Sequence, residues 1–145
     1  MSMDENRAMC VYIAKELEAY ADGRMYRCPI CGAAVEPIPD ENEDGDDVYR
    51  CPECDAKLEE GDAEPLSLYD WMEDVLDIEF RVSGHASSAE YRSARVMVTC
   101  GGPNIYVDTD TARVELYWWN ETAECPIDPA ACAELDAVLE ELFNC

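Results

Sequence analysis

Four cysteines stand as two Cys-Pro-x-Cys pairs, Cys28/Cys31 and Cys51/Cys54, with nineteen residues between the pairs. Cysteines separated by two residues on a tight turn aim both sulfurs at one point. Two such turns facing each other across a hairpin make a tetrahedral thiolate set, the donor set zinc prefers. One Cys-x-x-Cys could be a redox dithiol, but two at ribbon spacing point to metal. With four sulfurs the coordination sphere is closed, so the expected cofactor is one structural zinc per chain, with no position for a substrate water. Gly32 after the first pair suits the turn, whereas Asp55 follows the second. The segment is poor in apolar side chains and is expected to need the ion to fold.

Between the pairs lies "EPIPDENEDGDDVYR", which supplies Glu36, Asp40, Glu41, Glu43, Asp44, Asp46 and Asp47. Asp40, Asn42, Asp44 and Gly45 begin like a calcium loop. Position twelve, where a bidentate glutamate is required, is Cys51, and no helix can follow through Pro52. The stretch therefore reads as an exposed acidic hairpin tip, and these seven carboxylates are the candidate partner-binding residues.

The whole chain of 145 residues holds 34 acids against 10 bases, a formal charge of −24. Residues 28–64 carry thirteen acids and two bases, and residues 101–145 carry ten and one, so the ribbon and the C-terminal region hold most of the field. Such a surface opposes direct binding of DNA, RNA or anionic lipid, because phosphate contacts come from lysine and arginine. It suits a basic partner. No run of 18 apolar residues predicts a membrane span. The start, "MSMDENRAMC", does not read as a signal peptide, and nine cysteines without one suggest a reducing compartment.

Other reactive groups give little. His85, the single histidine, lies in a Gly-Ser loop. Nothing places it beside Cys100 as a nucleophile pair, although a metal or thiol enzyme using the two is the alternative from another functional class. Cys10, Cys100, Cys125, Cys132 and Cys145 read as small buried hydrophobes or free thiols, and Cys125 with Cys132 matches no known metal spacing. "CGGPN" lacks the lysine and helix of a phosphate loop. In "YWW" (117–119) alternation puts Trp118 on the opposite face from Tyr117 and Trp119, so one of these rings is partly exposed or is covered by a helix or a partner.

The elements that carry these residues follow from periodicity. Cys10, Ile13, Ala14, Leu17 and Ala21 recur at helical spacing from Asp4 to Ala21, and Gly23 ends that helix. "SLYDWMEDVL" starts a second helix with Ser67 and Asp70 as a capping box. "DIEFRVSG", "RSARVMVTC", "IYVD" and "ARVELYWW" read as strands, and Asp128-Pro129 opens a final helix lined by Cys132, Leu135, Val138, Leu139 and Leu142. No internal repeat is evident. The expected fold is α+β: a four-stranded antiparallel meander packed by helices, with an inserted four-cysteine zinc ribbon. Its parts are a helix (1–23), the ribbon (24–58), a linker (59–66) and a meander domain with the C-terminal helix (67–145).

The stretch "LYDWMEDVLDIEFRVSG…YRSARVMVTCGGPNIYVDTDTARVELYWW", Leu68 to Trp119, resembles a segment in small proteins of phages and mobile elements of gut bacteria. The acidic, metal-stapled profile resembles in type the anti-CRISPR proteins, which inhibit RNA-guided type II nucleases. That resemblance implies a non-enzymatic inhibitor in the host bacterial cytoplasm. Its partner would be a type II CRISPR effector nuclease, whose nucleic acids run in basic channels. Another basic nucleic-acid enzyme, such as a restriction enzyme or polymerase, is the alternative partner.

Overall fold

The structure, a computed structural model, describes residues 3–40, 48–58, 61, 63–85, 87–100 and 102–145. Helix α1 (Met3–Ala21) places Asn6, Cys10, Ala14 and Leu17 on one buried stripe, the 3.6-residue repeat of an amphipathic helix. Its end is a Schellman turn. The Arg24 N–H reaches the Ala19 carbonyl at 2.8 Å and the Gly23 N–H reaches Tyr20 at 3.2 Å, with Gly23 at φ +73°.

The chain then runs through six short strands: β1 (Tyr26–Arg27), β2 (Ala34–Val35), β3 (Ile38–Asp40), β4 (Val48–Arg50), β5 (Lys57–Leu58) and β6 (Glu64–Pro65). These form two small sheets, ordered β2-β1-β6 and β3-β4-β5. The polar stretch expected as linker thus holds a strand, β6, which pairs antiparallel with β1. Beside it, the Leu66 N–H donates to the Met25 carbonyl at 2.9 Å, and both side chains are buried in the main core. This pairing is the base on which the ribbon stands.

Helix α2 (Leu68–Met72) is only five residues long. Asp70 accepts the Ser67 N–H at 2.7 Å, as the capping pattern predicts. The helix stops well short of Leu76. Glu73 and Asp74 sit at its C-terminal end, where carboxylates oppose the helix dipole. The sheet edge takes over the chain there: the Leu76 N–H bonds to the Met97 carbonyl at 2.9 Å.

The main sheet has five strands, not the expected four. β7 (Asp77–Ser83), β8 (Glu90–Thr99), β9 (Asn104–Asp108), β10 (Arg113–Trp118) and β11 (Glu121–Pro126) form an antiparallel meander in the order β11-β10-β9-β8-β7. The extra strand pairs Val114 with Cys125 and Leu116 with Ala123. Its sequence, "ETAECP", has a weak alternation, and its two-residue turn, Trp119-Asn120, has no glycine although Trp119 sits at φ +55°. Helix α3 (Pro129–Phe143) starts behind Asp128 with proline in its first turn, as expected.

The sheet divides the chain's chemistry. One face carries Ala94, Val96, Ile105, Val107, Val114 and Leu116, all buried under α1, which lies on β10 and β11, and α3, which lies on β8. The other face is open and polar. There Arg81 grips the buried carboxylate of Asp108 with two bonds, 2.8 and 2.7 Å, and the Asp110 N–H adds a third at 2.9 Å. These bonds, the Arg81 guanidinium first, hold the Asp108 carboxyl below its ordinary range against the opposing effect of burial. A depressed carboxyl adds stability that is present above its unfolded value, near pH 4, and is lost as pH falls through the lower folded value. Asp108→Asn is therefore expected to cost about 2 kcal/mol at pH 7, discounted for the exposure of Arg81, and to flatten the acid limb of stability. Urea unfolding of both forms between pH 7 and pH 3 measures this.

Tyr117 lies on the open face against Tyr106, with centroids 6.0 Å apart. Trp118 packs against the core edge, and Trp119 leaves the strand in the turn, 87% exposed. Strand alternation separates Tyr117 from Trp118 as expected, but not Trp119 from Trp118: at φ +55° Trp119 has left the strand, and its ring lies edge-on to Trp118 with centroids 5.9 Å apart.

Candidate metal centre

The two cysteine turns are copies of one another, contrary to the expectation of no repeat. "YRCPICGAAV" (26–35) and "YRCPECDAKL" (49–58) are identical at six of ten positions. The structure repeats with the sequence. Tyr26 pairs with Val35 and Tyr49 with Leu58. The Cys28 N–H bonds to the Ala33 carbonyl at 2.9 Å and the Cys51 N–H to Ala56 at 3.0 Å. The Gly32 N–H returns to Cys28 and the Asp55 N–H to Cys51, both at 2.9 Å. The signal lay in the letters, and reading only the cysteine spacing hid it.

The repeat also explains Asp55. Gly32 is at φ +77° and Asp55 at φ +60°, so both positions need the left-handed region. Aspartate enters it more readily than most residues and glycine enters it freely. Asp55 gains an ion pair to Arg50 at 3.4 Å, but both partners are well exposed, so that pair is weak. Asp55→Gly is expected to stabilise the ribbon by about 0.5–1 kcal/mol and Gly32→Ala to destabilise it by about the same amount, the usual scale for matching residue type to backbone. Metal-retention midpoints under a chelator titration check both.

Facing one another, the repeats bring Cys28, Cys31, Cys51 and Cys54 together with all four sulfurs within 4.8 Å. The Cys28–Cys54 and Cys31–Cys51 separations are each 3.7 Å. A tetrahedral ion with metal–sulfur bonds of about 2.3 Å demands edges of about 3.8 Å, so the donor set fits such an ion. Cys28 and Cys51 are buried, and Cys31 and Cys54 are exposed. The Cys31 N–H, opposed by burial and aided by the Ile30 N–H, draws the Cys28 thiol down to about 6. The Ala56 N–H acts in the same sense on Cys54, but burial and the adjoining Cys51, Cys28 and Cys31 sulfurs outweigh it and push that thiol up to about 12. The first proton leaves easily and the last resists, the response of clustered sulfurs that a cation must neutralise.

Among the described residues the ribbon has almost no other core. Val35 and Leu58, with Ala33 beside them, are the buried apolar side chains accompanying Cys28 and Cys51, and this cluster is separate from the main core.

Of the seven candidate carboxylates, Glu41, Glu43, Asp44, Asp46 and Asp47 lie outside the described residues. Asp40 is the last residue of β3. Glu36 is engaged: its carboxylate pairs with Arg24, which also holds Asp22 at 3.1 Å. Sequence reasoning missed this because the Schellman turn at Gly23 is what aims Arg24 at the ribbon.

The remaining reactive groups do not converge. His85 is in the β7–β8 loop and Cys100 follows the far end of β8, whose ten residues span about 30 Å. Cys10, Cys125 and Cys132 are buried, and the Cys132 thiol donates to the Thr109 carbonyl at 3.6 Å. Among the described residues no second group of three or more histidine, cysteine or acidic side chains is placed to hold a metal. Among them, too, no helix is long and apolar enough to cross a membrane. No known protein-family model matches the chain, and neither a curated protein nor a solved structure matches it.

Proposed function

We propose that this chain is an anti-CRISPR inhibitor, a binding protein whose zinc-clamped acidic ribbon docks on a type II RNA-guided nuclease and blocks target-DNA loading. The observation that carries this reading is the disposition of charge. Thirteen acids and two bases lie in residues 28–64, the stretch of sequence that includes the four-cysteine ribbon. Six of the ten bases, Arg24, Arg50, Arg81, Arg92, Arg95 and Arg113, are already in ion pairs with carboxylates of the same chain. Such pairing leaves little positive surface for phosphates and a large negative one for a basic channel. Zinc is the ion the four-thiolate set suits, and in a closed site its part is structural. The separation of His85 from Cys100 supports a binding role over thiol catalysis.

Titration calorimetry of the metal-loaded protein with a guide-loaded type II nuclease tests the proposal. Binding is expected, weakening about tenfold or more between 50 and 300 mM salt as the field is screened. No heat at either salt, with capture instead by a restriction enzyme or polymerase, moves the reading to that other basic partner.

A further inference from the structure

We propose that the cleft in the ribbon, beside the turn that ends α1, is a receptor for an arginine side chain, presented by an extended segment of the basic partner. The cleft has a volume of about 530 Å³ and is walled by Tyr26, Tyr49, Pro37, Pro39 and Leu58. Tyr26 and Tyr49 hold the same position in the two repeats, so the duplication delivers two tyrosine rings to one cavity. Tyr49 stays 40% exposed there. Arg24 and Glu36 complete the rim, joined to each other, and Asp22 draws Arg24 aside.

The choice of arginine follows from chemistry the molecule already displays. On the open sheet face the Arg95 guanidinium lies 3.8 Å over the Tyr106 ring and 5.7 Å from that of Tyr117, and Glu115 closes the set at 3.7 Å. Two tyrosines and a glutamate thus hold one arginine. The cleft has the same set, Tyr26, Tyr49 and Glu36. Among the described residues ring stacking by an arginine is found at Arg95, and Arg24 stacks on neither cleft ring. A carboxylate has acceptor capacity for more than one donor, so Glu36 can hold a second guanidinium beside Arg24. Guanidinium is weakly hydrated and planar, and it stacks on aromatic faces where an ammonium keeps its water. The surrounding excess of acid draws a cation in and repels an acidic or neutral segment.

This site rests on the acidic-binder reading, and its test separates the two. The full, metal-loaded chain is titrated with acetyl-Gly-Arg-Pro-Arg-Gly-amide and followed by amide NMR, with citrulline and lysine versions as controls. Saturable shifts centred on Tyr26, Glu36 and Tyr49 are expected, with binding at least fivefold weaker for lysine and tenfold weaker for citrulline. Tyr49→Phe is expected to retain binding and Tyr49→Leu to lose it, each with one metal per chain. If Tyr49→Leu loses metal, Tyr26→Phe and Tyr26→Leu carry the same comparison. Equal shifts from the citrulline peptide, or unchanged arginine binding in the leucine variant, overturn the site. Arginine binding in the cleft with no binding of the nuclease upholds the site and removes the proposed partner. Nuclease binding together with an unresponsive cleft does the reverse.

Discussion

Stripping the metal, or replacing Cys51 with serine, is expected to unfold residues 26–40 and 48–58 and to leave the five-stranded body standing. The two cores are separate: Val35, Leu58, Cys28 and Cys51 in the ribbon, and Leu17, Val96, Leu116, Leu135 and their neighbours in the body. Burying two aliphatic side chains falls well short of the cost of ordering the ribbon. Binding of a structural ion is itself folding free energy, and it is the contribution the ribbon loses with the metal. The natural probes are well placed. Trp71, Trp118 and Trp119 all belong to the body, whereas Tyr26 and Tyr49 belong to the ribbon. Chelation should erase the dispersed amide signals of residues 26–40 and 48–58 while tryptophan fluorescence changes little. Joint loss of both would show that the body also depends on the ion.

Neutralising the ribbon tip is expected to have the next largest effect. Replacing Asp40, Glu41, Glu43, Asp44, Asp46 and Asp47 with their amides changes the formal charge from −24 to −18, six charges removed from one stretch. Affinity for the nuclease should fall about thirtyfold or more at low salt, chiefly through slower association, and the salt dependence should shrink with it. Stability should hold or rise slightly as self-repulsion falls. Glu134→Gln with Glu140→Gln, on the exposed side of α3, serves as the control and should have little effect. The opposite ranking would place the contact on the C-terminal face instead.

The metal centre was legible because its signal is type and spacing together: cysteine three residues from cysteine, twice. Helices α1 and α3 were legible from apolar periodicity and from their stops at Gly23 and starts at Asp128-Pro129. Strand β11 was not, because "ETAECP" carries two glutamates and shows its pattern only at Ala123 and Cys125. The start of α2 was legible in Ser67 and Asp70, but its early end was not, because Leu68, Trp71, Met72 and Val75 continue a helical pattern that the edge pairing at Leu76 overrides. The part of Glu36 was hidden for a different reason. Its partner Arg24 is positioned by the backbone turn after α1, and a tertiary contact between two exposed charges leaves no periodic trace. The cleft was invisible on the same grounds, since its walls come from four separate stretches between Gly23 and Ala63.

The most direct test of the central claim is a gel-shift assay of target-DNA loading onto a guide-loaded type II nuclease, with and without the metal-loaded protein, at low and moderate salt. Loading should fall in proportion to added protein, and fall less at the higher salt, because an acidic surface and DNA compete for one basic path. Undiminished loading at a large excess of folded, metal-loaded protein would contradict the claim.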